Sequence, residues 1–126
     1  MPRILVVEDS RLSRRIMIRY LHEAGYETSE AENGEIGLQM FRENRPDCVL
    51  TDLLMPVMEG QEMLAHIREF DTETPIIIAS ADIQQSSQQT CVDLGISGFL
   101  NKPVKSEDLL ACIEAALTQA AGVEDV

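Results

Sequence analysis

Short apolar runs alternate with longer amphipathic segments five times along this chain, and that alternation limits the fold more than any other feature. Residues 4–7 are a continuous apolar run of strand length. After Ser10, a good helix N-cap, Leu12, Ile16 and Tyr20 recur at four-residue spacing beside Met17 and Leu21, and Gly25 ends the helix. Residues 27–31 read as a polar strand. A helix is expected from Asn33, with Ile36, Met40 and Phe41 inward, until Asn44 and Pro46. Residues 48–51 form the third strand. Pro56 and Gly60 frame a loop, and Met63, Leu64, Ile67 and Phe70 give the next helix its buried face. Residues 75–79 are a fourth, β-branched strand. Residues 82–94 are helical by length, although Gln84, Gln85, Gln88 and Gln89 leave only a thin apolar stripe. Residues 98–100 make a short fifth strand, and Ser106 is expected to cap a last helix with Leu109, Leu110, Ile113 and Leu117 inward.

Five strands alternating with five helices imply a parallel sheet with right-handed crossovers and helices on both faces. Four of the strands are apolar runs, as strands covered on both sides should be, and the polar second belongs at an edge. The expected fold is therefore α/β, a doubly wound five-stranded parallel sheet of order 2-1-3-4-5. Residues 1–121 should form one domain, followed by a short tail over 122–126.

Function classes narrow with charge. The net charge of −12, from 22 acidic and 10 basic residues, repels phosphate backbones and argues against direct nucleic-acid binding. No apolar run is long enough to cross a membrane. Cys48, Cys91 and Cys112 have neither metal nor redox-motif spacing and read as reduced core residues of a cytoplasmic protein. Arg11, Arg14, Arg15 and Arg19 crowd into one helix. A solvated helix face accounts for most such runs; a docking surface for an acidic partner is the sharper alternative.

Ligands of such sheets bind outside the carboxyl ends of the strands. The first strand ends in Glu8 and Asp9, the third in Asp52, the fourth in Ser80, and the fifth in Asn101 and Lys102. Any one acid there is most simply a turn former or cap. Three carboxylates brought to one sheet edge repel one another and call for a cation. Oxygen-only ligands with room for water favour Mg²⁺ over Zn²⁺. Lys102 and the Ser80 hydroxyl add donors for an incoming phosphoryl group.

Four segments now carry a resemblance: Val7-Glu8-Asp9-Ser10, Thr51-Asp52-Leu53-Leu54-Met55-Pro56-Val57-Met58-Glu59-Gly60, Pro75 through Ala81, and Gly98-Phe99-Leu100-Asn101-Lys102-Pro103. In order and spacing the chain resembles the receiver domains of two-component response regulators, over residues 3 to about 117. The resemblance implies the CheY-like, flavodoxin-like (βα)₅ architecture. It implies that Asp52 accepts a phosphoryl group from a histidine kinase or phosphotransfer protein. It implies that Mg²⁺ is held by Asp9, Asp52 and the Leu54 carbonyl, with Glu8 acting mostly through water. Lys102 would pair with a phosphoryl oxygen, Ser80 and Phe99 would form the conformational switch, and the Lys102–Pro103 bond would be cis. Such a chain is a phospho-acceptor switch and not an enzyme, acts on a downstream effector protein, and is a monomer or a weak phosphorylation-dependent dimer. Arg14 and Arg15 are the expected kinase-docking residues.

Three residues depart from the commonest pattern of that family: Glu8 for Asp, Ser80 for Thr, and Phe99 for Tyr. Each keeps the required function, though Phe99 brings no hydroxyl. Leu54 and Asp82 are expected to flank the path of a water attacking the phosphorylated residue. His22 and His66 lie on helices away from the strand ends. Three rivals are a receiver cut from a longer regulator, an aspartyl-phosphate phosphatase and a flavin module. The phosphatase would carry its nucleophile at the first strand, and Glu8-Asp9 would repel a flavin phosphate.

Overall fold

Strand residues of this chain are buried on alternating sides, and that sorting builds the molecule. In a computed structural model, which describes residues 2–81 and 85–120, β1 (Arg3–Val7), β2 (Glu27–Ala31), β3 (Cys48–Thr51), β4 (Ile76–Ser80) and β5 (Gly98–Asn101) form one sheet. The helices between and after them are α1 (Arg11–Glu23), α2 (Gly34–Glu43), α3 (Gly60–Arg68), α4 (Gln85–Asp93) and α5 (Ser106–Ala120). The sheet order is β2-β1-β3-β4-β5, and all four pairings are parallel.

Leu5, Val7, Val49, Ile76 and Ile78 point to one face, where Leu38 and Phe41 of α2, Met63, Leu64 and Ile67 of α3, and Cys91 of α4 cover them. Ile4, Val6, Cys48, Leu50, Ile77 and Ala79 point to the other, against Met17 and Leu21 of α1 and Leu109, Ile113 and Ala116 of α5. A period of two on each strand thus serves two helical layers. The polar β2 is an edge strand, as its composition requires.

Helix starts follow local chemistry. The Ser10 side chain accepts from Ser13 N at 3.2 Å, and Asn33 Oδ1 accepts from Ile36 N at 2.9 Å. Gly25, at φ 93°, ends α1 in the left-handed region.

Several packing expectations change. Leu12 is 71% exposed and Ile16 40%, because the stripe that meets the sheet runs through Met17 and Leu21 and leaves the other row on the outer flank. Ile36 and Met40 are only half-buried; Leu38 and Phe41 make the inner stripe of α2. Phe70 lies past the end of α3, with its ring edge-on to Phe41 at 5.8 Å. Ser106 belongs to α5 and does not cap it; the Lys105 carbonyl takes the helix bond from Leu109 N. Leu117 is half-buried and Ala116 takes the core position. Asp82 and the expected tail over 122–126 lie outside the described residues.

Candidate functional site

Parallel strands bring their carboxyl ends to one edge, and the residues just past β1, β3, β4 and β5 meet there. Glu8 follows β1 and is wholly buried, its N–H donating to Ala31 O at 3.0 Å. Asp52 follows β3, also buried, its N–H donating to Val7 O at 3.0 Å. These bonds continue the sheet ladder by one residue, so both carboxylates are placed by backbone. Ser80 ends β4 and is buried, and its carbonyl accepts from Lys102 N at 3.0 Å.

Lys102 Nζ donates to Asp52 Oδ2 at 2.8 Å and forms a second, short ion pair with Glu8 Oε1. Glu8 Oε2 accepts from Ser10 N at 3.0 Å, and Asp52 Oδ1 accepts from Leu53 N at 2.6 Å and Leu54 N at 3.4 Å. Burial pushes the Glu8 carboxyl up from its ordinary value and the Asp52 charge adds to this; the bonds from Lys102 and Ser10 only partly offset it. For Lys102 burial pulls the other way, but the hydrogen bonds to Asp52 and Glu8 win and raise its pKa. The ammonium is therefore charged, the counter-ion of a pair of buried carboxylates.

Ligand oxygens of Glu8, Asp9 and Asp52 lie within 4.8 Å of one another, and Asp9 is exposed. Carboxylate oxygens alone, one of them open to water, suit a hard divalent cation such as Mg²⁺ and not a thiolate- or imidazole-seeking metal.

The sequence of the response regulator receiver domain family matches residues 4–114. The chain belongs to that family. Among relatives of this receiver domain, the chemotaxis protein CheY of Halobacterium salinarum is 32% identical over 115 residues, covering 91% of this chain and 96% of that protein. Response regulator MprA of a Mycobacterium species is 36% identical over 115 residues, but these cover 91% of this chain and 50% of MprA. The receiver thus spans nearly all of one curated relative and about half of others. Its fold matches a CheY-like receiver domain protein from Methanospirillum hungatei with a TM-score of 0.92 at 25% identity, covering 96% of this chain and 97% of that one. It matches Vibrio cholerae CheY4 with a TM-score of 0.83 at 30% identity, covering 92% and 98%.

Of the residues expected at the site of this receiver, Glu8, Asp9, Asp52, Leu54, Ser80 and Lys102 lie at the strand ends or in the loop after β3, while Asp82 lies outside the described residues. Leu54 is 63% exposed, two residues past Asp52. Phe99 lies on β5, half-buried against the core on the α2–α4 face. The Lys102–Pro103 bond is cis. The two arginines part company. Arg14 is largely buried, donating to Glu8 O at 2.6 Å and pairing with Glu30 at 2.8 Å, so it props the first strand end and is no free docking charge. Arg15 is exposed.

Two close approaches at the receiver site went unread, one at Gly60, which the sequence marks only as a loop boundary and motif residue, and one at Gly34. A Cβ on Gly60 would lie 2.0 Å from Asp52 O, so only glycine lets α3 start beneath the acceptor. A Cβ on Gly34 would lie 2.4 Å from Met58 O. Neither close approach leaves a periodic signal in sequence.

Among the described residues, no helix is long and apolar enough to cross a membrane.

Proposed function

We propose that this receiver takes a phosphoryl group onto Asp52 from a phosphohistidine of a histidine kinase or phosphotransfer protein, with Mg²⁺ bound, and that the resulting change of shape controls a downstream effector protein. The observation that carries the reading is the convergence of Glu8, Asp9 and Asp52 around one point, with Lys102 against Asp52.

An Asp52 carboxylate oxygen attacks phosphorus in line with the donor nitrogen. The new O–P bond forms as the P–N bond breaks, and the electron pair leaves with the imidazole. Asp9, Asp52 and the Leu54 carbonyl would hold Mg²⁺, with Glu8 acting through water; the bound ion would supply positive charge opposite the phosphoryl oxygens. Lys102 uses two of its three N–H donors on Glu8 and Asp52, which leaves one for a phosphoryl oxygen. The Ser80 hydroxyl would turn toward the new phosphoryl group, and Phe99 would follow into the space released. Arg15 and the exposed flank of α1 would meet the kinase. The only chemistry is the chain's own phosphorylation and dephosphorylation, so it is a switch and not an enzyme, cytoplasmic, and monomeric or weakly dimeric when phosphorylated.

The half-length match to MprA favours a second reading, in which this receiver controls an output domain joined to it. Immunoblotting of native cells separates the two: a band at the mass of this chain supports a separate effector, and one about twice as heavy supports a fused output.

The phosphoryl reading is tested with a small acyl-phosphate donor, reading phosphorylation against Mg²⁺ concentration for wild type and Asp9→Ala. Wild type should require the ion, and Asp9→Ala should need far more of it. Equal phosphorylation in excess chelator would overturn the assignment.

A further inference from the structure

The loop from Asp52 to α3 contains the one non-glycine residue with positive φ among the described residues. Val57 has φ 68°, where a β-branched side chain crowds its own backbone. Its side chain is 73% exposed, so no packing holds it there. Backbone bonds do. Met58 N donates to Pro56 O at 2.7 Å, closing a three-residue turn around Val57. Gly60 N donates to Leu53 O at 2.8 Å and closes the base of the loop. The remaining tie leaves the loop altogether: Gly34 N, at the first turn of α2, donates to Met58 O at 3.0 Å.

That last bond needs glycine. A Cβ at position 34 would stand 2.4 Å from Met58 O and 3.0 Å from Met58 C, and these are backbone atoms that cannot rotate aside. The Gly34 N–H is also one of the donors that a helix start leaves without an intrahelical partner, so the loop supplies what the helix lacks. A helix that touches neither phosphate nor metal therefore grips the far side of the acceptor loop, four residues beyond Leu54.

We propose that Gly34 is a positioning residue for the phospho-acceptor site, its N–H restraining Met58 so that strained Val57 cannot relax and carry the Leu54 carbonyl out of place. The proposal rests on the reading of Leu54 as a metal ligand, and it has a part that does not. Without the tie, Val57 rotates toward negative φ, and the shift travels through Pro56 and Met55 to Leu54. Glycine at position 57 would remove the drive for that rotation, because it occupies φ near +68° without steric cost.

The test is a double-mutant cycle of Gly34→Ala and Val57→Gly in the full chain. Its readouts are the amide NMR shifts of Leu53 and Leu54 in chelator, the Mg²⁺ affinity by titration of the same signals, and the acyl-phosphate reaction at low and saturating Mg²⁺. Gly34→Ala should move both amides without metal and weaken Mg²⁺ binding by roughly tenfold, the scale of one lost backbone hydrogen bond. Saturating Mg²⁺ should restore most of its phosphorylation rate. In the Val57→Gly background the same substitution should weaken Mg²⁺ binding much less. Unmoved Leu53 and Leu54 amides in Gly34→Ala would overturn the proposal, as would an equal loss of affinity in both backgrounds. Wild type that bound no Mg²⁺ would overturn the metal reading instead, and the metal-free shifts would still decide the fate of the tie.

Discussion

Among the described residues, Lys102 is the sole cation paired with the buried carboxylates of Glu8 and Asp52, so its removal should reveal how much the site costs the fold. In Lys102→Ala, Glu8, with a side chain 1% exposed, and Asp52, at 10%, lose that partner. Breaking a buried ion pair costs about 3–5 kcal/mol. The lysine side chain is 17% exposed, and water entering its place offsets part of that, leaving about 2–3 kcal/mol. With a urea m-value of about 1.5 kcal/mol per molar, the unfolding midpoint should fall by roughly 1.3–2 M in chelator. Two conditions should shrink the loss. Mg²⁺ should do so, because a divalent ion neutralises the same carboxylates and binds only the folded chain. Acid should do so as well. Glu8 titrates above its ordinary 4.5 when folded, so its protonated form favours the folded state, and the charge that needs Lys102 disappears as pH falls through that raised value. Lys102 itself stays charged until pH exceeds 10.5, so its titration plays no part at neutral pH. A midpoint in chelator equal to wild type, or a loss unchanged by Mg²⁺, would refute this account of the site's electrostatics.

Remote from the site, Asp71 accepts from Glu73 N, Thr74 N and Thr74 Oγ1 and pairs with Arg45. Burial pushes its carboxyl up, but these donors outweigh burial and hold it below 3.8. Its stabilisation is thus present above 3.8 and lost as pH falls through the lower folded value; Asp71→Asn should cost about 1–3 kcal/mol at neutral pH, converging with wild type in acid melts. Arg15→Glu should slow transfer from the cognate kinase while sparing a small donor, whereas Arg14→Glu should lower the melting temperature by removing the prop on Glu8 O. Equal effects of the two reversals on both assays would contradict the distinction. Leu54, exposed beside Asp52, should obstruct an attacking water, so purified phosphorylated Leu54→Asn should lose phosphate faster than wild type; an equal rate would remove Leu54 as the shield.

The sheet order and the strand-end cluster were legible because both follow from periodicity and topology. Continuous apolar runs identify strands buried on both faces, the polar run identifies an edge, and parallel strands send Glu8, Asp52, Ser80 and Lys102 to one place. What escaped was set by contacts between elements. Leu12 and Ile16 share a helical row with Tyr20, yet Met17 and Leu21 are the residues that pack against the sheet. Arg14 looks like Arg15 in sequence, and only the position of Glu30 on the neighbouring strand and the Glu8 carbonyl separates a prop from a free charge. The need for glycine at positions 34 and 60 shows only when the backbone that approaches them is seen, although Gly60 already stands out in the sequence as a loop boundary. Family resemblance supplied residue roles that charge and spacing alone left open, above all the choice of Asp52 over Asp9 as acceptor.

That choice is the central claim, and intact-mass analysis tests it most directly. Wild type and Asp52→Asn would each be incubated with a small acyl-phosphate donor and Mg²⁺, with circular dichroism to show that both are folded. Wild type should gain the mass of one phosphoryl group and Asp52→Asn none, because an amide offers no anionic oxygen to attack phosphorus. An Asp52→Asn chain that still gained one phosphoryl group, to the same extent as wild type, would show that the acceptor lies elsewhere.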